Sequence, residues 1–76
     1  MTICNVLRTM TIDDNTAIVV EGSRELFRNG MGILDDSGKP HEVETVGMDG
    51  IADLENEYNR VSLLIRGSIS SNKIYV

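Results

Sequence analysis

A chain of 76 residues with 41% hydrophobic and 25% charged side chains is long enough for one domain around one core, and too short for two. Seven Lys and Arg against twelve Asp and Glu leave a net charge of −5, which repels a phosphate backbone and sets the balance against nucleic acid. Phe27, Tyr58 and Tyr75 are the only aromatics, so the core must be aliphatic and base-stacking platforms lack their usual material.

Turn chemistry divides the chain into short segments. Residues 6–12 alternate, with Val6, Met10 and Ile12 on one parity and Leu7, Thr9 and Thr11 on the other. Arg8 falls among the apolar set, so its stem either snorkels at a barrel mouth or the strand bulges there. After Asp13-Asp14-Asn15, residues 16–20 read Thr-Ala-Ile-Val-Val, a β-branched run that suits a pleated surface. Asn29-Gly30 has the chemistry of a tight hairpin turn, and residues 31–34 are expected to follow it as a short strand.

Asp36-Ser37-Gly38 marks the next hairpin. In residues 42–48 the apolar parity changes between Val43 and Val46, which a bulge near Thr45 would reconcile. Ile51, Leu54 and Tyr58 recur at helical spacing, yet Gly50 and the short length leave a two-turn helix and an irregular loop both open. Val61, Leu63 and Ile65 alternate with Ser62, Leu64 and Arg66, and the leucine on the outer set marks the most buried strand. Ile74-Tyr75-Val76 ends the chain with three β-formers suited to closing a sheet. Six short strands with no strand-helix-strand alternation predict a single all-β domain over residues 1–76, a small closed or nearly closed antiparallel barrel.

Three stretches carry a family resemblance. Val61-Ser-Leu-Leu-Ile-Arg-Gly67 resembles the V-x-L-x-L-R-G strand and turn of the second domain of elongation factor Tu and related translational GTPases. Thr16-Ala-Ile-Val-Val-Glu-Gly22 is similar to that domain's G-T-V-V-x-G strand, and residues 43–48 to the strand before its E-M pair. The resemblance spans residues 16–76 and implies a six-stranded barrel of the kind that sits beside a GTPase domain and helps hold aminoacyl-tRNA. The phosphate loop G-x-x-x-x-G-K-[ST] does not occur in the sequence. The family's acidic and aromatic pocket residues fall on Gly47, Met48 and Asp49, where only the methionine matches. The resemblance therefore implies the barrel and not the tRNA role, since a fold alone does not carry a function.

The chemistry-bearing residues are few. Cys4 is the lone cysteine, which precludes an internal disulfide and points to a reducing, cytoplasmic compartment. It lacks an evident base, because His41 is the lone histidine and follows Lys39-Pro40 on the far side of two turns. One Cys and one His do not make a closed zinc site, and neither Asp13-Asp14-Asn15 nor Asp35-Asp36-Ser37-Gly38 has the spacing of a calcium loop. Asx hydrogen bonds in turns account better for both. Ser68, Ser70 and Ser71 lack a nucleophile elbow. No apolar run nears the roughly 18 residues that span a bilayer, and the start of the sequence lacks the layout of a signal peptide.

No catalytic residue, cofactor or metal is expected, and the chain reads as a non-enzymatic binding or assembly module. Its partner would be another protein or a second copy, with neither a membrane nor, on charge grounds, nucleic acid. The resemblance supplies the alternative, a translation- or RNA-associated accessory domain, with a small enzyme subunit behind it. Arg24, Leu26, Phe27 and Arg28 are the candidate contact residues, a basic and apolar cluster in which at most one of two adjacent large groups can face inward. Leu7 and Leu64 add apolar side chains on outer parities.

Overall fold

The computed structural model describes residues 1–47 and 59–76. It contains β1 (Ile3–Ile12), β2 (Asn15–Glu21), β3 (Gly32–Asp35), β4 (Pro40–Val46), β5 (Arg60–Arg66) and β6 (Lys73–Tyr75). They close into an antiparallel barrel in the order β1-β2-β5-β4-β3-β6. The six-stranded closed barrel expected from the sequence is thus the fold. The choice between helix and loop over residues 51–58 lies outside the described residues, as do Met48 and Asp49.

Side-chain alternation builds the core. On β5, Val61, Leu63 and Ile65 point inward and are almost fully buried, as the parity of that strand requires. Ser62 and Leu64 fall on the outer parity, yet Ser62 is buried too and Leu64 half-buried, so this strand is covered on both faces. Ile18 and Val20 of β2, Ile33 of β3, Val43 of β4 and Ile74 of β6 complete the aliphatic interior, joined by Cys4, Phe27 and Ile69. Each such burial is worth roughly 1.5–3 kcal/mol, which makes this interior the main source of stability.

Two irregularities were legible as parity breaks. On β4 the register slips between Val43 and Thr45, so the bulge falls on Glu44. On β1, Val6 opposes Val20 while Arg8 opposes Val19, which leaves Leu7 as the extra residue. The bulge explains how Arg8 escapes the apolar parity, and its side chain is exposed.

Two expectations need correction. β1 begins at Ile3, because Ile3, Cys4 and Asn5 pair with Tyr75, Ile74 and Lys73 of β6. Asn29-Gly30 does not form a hairpin, because β2 lies between β1 and β5 and has no contact with β3 in the sheet. The connection from β2 instead makes a 3-10 turn at Arg24–Leu26, capped by the Ser23 hydroxyl accepting from the Glu25 N–H. Gly30 still uses its conformational freedom, with φ +86°, and its N–H donates to the Val43 carbonyl at 2.6 Å. The Asp36-Ser37-Gly38 hairpin joins β3 to β4 as expected, with Gly38 at φ +84°.

Candidate functional site

Three places on the barrel carry the residues singled out by sequence. The first is the β3–β4 turn. Asp35 Oδ1 accepts from the Ser37 hydroxyl at 2.6 Å and from the Ser37 and Lys39 backbone N–H groups, both at 2.9 Å. Its Oδ2 meets His41 Nε2 at 2.8 Å, with both residues buried. The Ser37 hydroxyl and the His41 ring, aided by the two N–H groups against the effect of burial, hold the Asp35 carboxyl well below the usual carboxylate range. His41 Nε2 is therefore the protonated ring nitrogen, donating to an ionised partner. Serine and imidazole both donate to the same carboxylate, so the imidazole does not act on the hydroxyl as a base would. The cluster staples a turn. It confirms the Asx account of Asp35-Asp36-Ser37-Gly38, and the sequence reading did not connect His41 to it.

Cys4 sits on the inward parity of β1 opposite Ile74, buried, with burial raising its thiol pKa. A Cβ built on Gly22 would lie 3.2 Å from its sulfur, so the thiol packs against backbone in place of a base. Cys4 and His41 are not brought together, since the imidazole is committed to Asp35. Among the described residues no cluster of three or more His, Cys, Asp or Glu is placed to hold a metal ion.

The second place is the Arg24 to Arg28 segment. Phe27 is buried in the core at 6% exposure and Leu26 is half-buried against it, so the pair does not form an exposed apolar patch. Arg24 lies over Gly47 and donates to the Val46 carbonyl at 3.3 Å. Gly47, at φ +80°, leaves room for that guanidinium where a side chain would collide with it. Asn29 Oδ1 accepts from the Val46 N–H at 2.9 Å and ties the same corner. Arg24 thus locks the segment to the end of β4, while Arg28 remains exposed.

The third place is β1. Among the described residues the exposed large hydrophobics are Met1, Ile3, Leu7, Met10 and Leu34, and the first four precede residue 11. Leu34 joins them through the sheet, because Ile3 and Leu34 both oppose Tyr75, and Leu34 opposes Pro40. These side chains make an apolar row across the outside of β1, β6, β3 and β4. β6 covers the edge of β1 only over residues 3–5, and the Val6 N–H donates to the Asn72 carbonyl at 2.9 Å. Beyond that bond the chain at residues 70–72 draws away. It leaves a groove of about 240 Å³ floored by Leu7, Arg8 and Thr9 and walled by Ser70 and Ser71. Among the described residues, 7–12 pair on one side only, with β2. Sequence reasoning placed Leu7 outward but missed this open edge, which depends on how short β6 is.

Compared with protein-family models, curated proteins and solved structures, the chain matches none.

Proposed function

We propose that this barrel is a protein-contact module, working in assembly and not in catalysis, and that β1 is its contact strand. The observation that carries the reading is the concentration of exposed apolar side chains on one strand, Ile3, Leu7 and Met10, the last two on a stretch that among the described residues pairs on one side only. Apolar groups scattered singly are ordinary on a protein surface, whereas a group of them along one open strand is the chemistry of strand-to-strand recognition. The Asp35 and His41 pair supports the same reading, because the most polar buried cluster is spent on holding a turn.

The test uses the whole chain as bait. Proteins retained by wild type and lost by a Leu7→Glu and Met10→Glu double variant, with the circular dichroism spectrum unchanged, would support the reading. Equal retention by both would contradict it.

A further inference from the structure

We propose that Asn29 is a deamidation site gated by β4: the closed barrel keeps it unreacted, and its conversion marks only those molecules in which residues 29–31 have come away from that strand.

The sequence supplies the chemistry. Asn29 is the only asparagine followed by glycine, and both residues are exposed to water. In such a pair the Gly30 backbone nitrogen, once it has lost its proton to hydroxide, attacks Asn29 Cγ, and a residue without Cβ leaves the approach open. A bond forms between Gly30 N and Asn29 Cγ, the bond from Cγ to the side-chain nitrogen breaks, and ammonia leaves with a proton returned by water. Water then opens the succinimide ring at either carbonyl, giving aspartate or isoaspartate.

The structure withholds the nucleophile. The Gly30 N–H donates to the Val43 carbonyl at 2.6 Å, and the Val43 N–H donates to the Met31 carbonyl at 2.8 Å, so the chain just after Asn29 is tied to β4 in both directions. The new bond must form along the direction in which the hydrogen now lies, and Val43 occupies it. The accepting carbonyl also keeps the proton on nitrogen, because a hydrogen bond donated by the neutral amide favours that form.

The electrophile is held as well. Asn29 Oδ1 accepts from the Val46 N–H at 2.9 Å. Val46 lies three positions along β4 from Val43, roughly 10 Å in a regular strand, a span that the Glu44 bulge shortens. That N–H polarises Cγ toward attack, yet the nucleophile is drawn to the other anchor, so ring closure waits on rupture of the bond from Gly30 to Val43. Isoaspartate then routes the main chain through the former side chain, one carbon longer, and makes Asn29 Oδ1 a main-chain oxygen. The two anchors on β4 no longer fit, and the opened corner does not close again.

The test compares folded and guanidinium-unfolded wild type at mildly alkaline pH, with tryptic peptides of timed samples resolved by mass spectrometry into asparaginyl, aspartyl and isoaspartyl forms of residue 29. The folded chain should convert at least about tenfold more slowly, because only its open fraction reacts. Exchange of the Gly30 amide hydrogen needs the same rupture and the same base, and should be slowed with it. Arg24 donates to the Val46 carbonyl at 3.3 Å, at the same corner. Arg24→Ala should therefore speed exchange and conversion together, with the circular dichroism spectrum unchanged.

Conversion of the folded wild type at the unfolded rate would overturn the proposal. So would slow conversion with Gly30 exchange as fast as in the unfolded chain, since the protection would then owe nothing to Val43. Faster exchange in Arg24→Ala without faster conversion would overturn it too. Should Arg24→Ala fail to fold, the wild-type comparison decides.

Discussion

Asp35 and His41 meet across the β3–β4 turn, Oδ2 to Nε2 at 2.8 Å, and with the Ser37 hydroxyl and two backbone N–H groups they leave the carboxylate with four donors. A carboxylate so held has a lower pKa in the folded protein than in the unfolded chain. Its contribution to stability is therefore fully present above the ordinary aspartate value of about 3.9, and is lost progressively as pH falls below it. Wild type should lose more stability than Asp35→Asn between about pH 5 and pH 2 in urea titrations. Parallel acid profiles for the two proteins would show that the four donors do not act as described.

Leu63 and Leu64 are neighbours with unequal burial, the first fully enclosed and the second half-buried on the outer parity. Leu63→Ala should cost about 2–5 kcal/mol, a large share of the stability of so small a domain, and Leu64→Ala less. Chemical denaturation of both variants checks the order. The reverse order would place β5 one residue out of register.

Cys4 is enclosed by the barrel, with its sulfur against Gly22 and opposite Ile74. An aromatic disulfide reagent at pH 8 should leave it unmodified in native buffer and react at once in denaturant, because burial hides the sulfur and disfavours the thiolate. Rapid labelling of the native protein would place the N-terminal end of β1 outside the barrel.

Much of the barrel was legible because strand parity is a local property. Val61, Leu63 and Ile65 announce an inward face whatever strand lies beside them, and the parity break between Val43 and Val46 announces a bulge wherever the partner is. What stayed hidden depends on which strands are neighbours. Asn29-Gly30 has hairpin chemistry, yet β2 turns away to pair with β5, so the dipeptide serves a longer connection. Ile3 to Asn5 became a strand only because the other end of the chain lies alongside. Leu26 and Phe27 competed for the interior, and the larger ring took it while Arg24 was drawn to Val46. The proposed contact surface therefore lies on β1 and not on that segment, and the edge of β1 left open among the described residues follows from the brevity of β6, with only Lys73–Tyr75 in the strand.

The central claim is that contact runs through β1, and an amide nitrogen-proton correlation spectrum recorded with and without a protein that the chain retains tests it most directly. The account predicts shifts on binding at Arg8, Thr9, Met10 and Thr11, with the amides of Val43 and Leu63 unmoved. Shifts confined to Arg24 through Arg28, or found uniformly across β4 and β5, would contradict it.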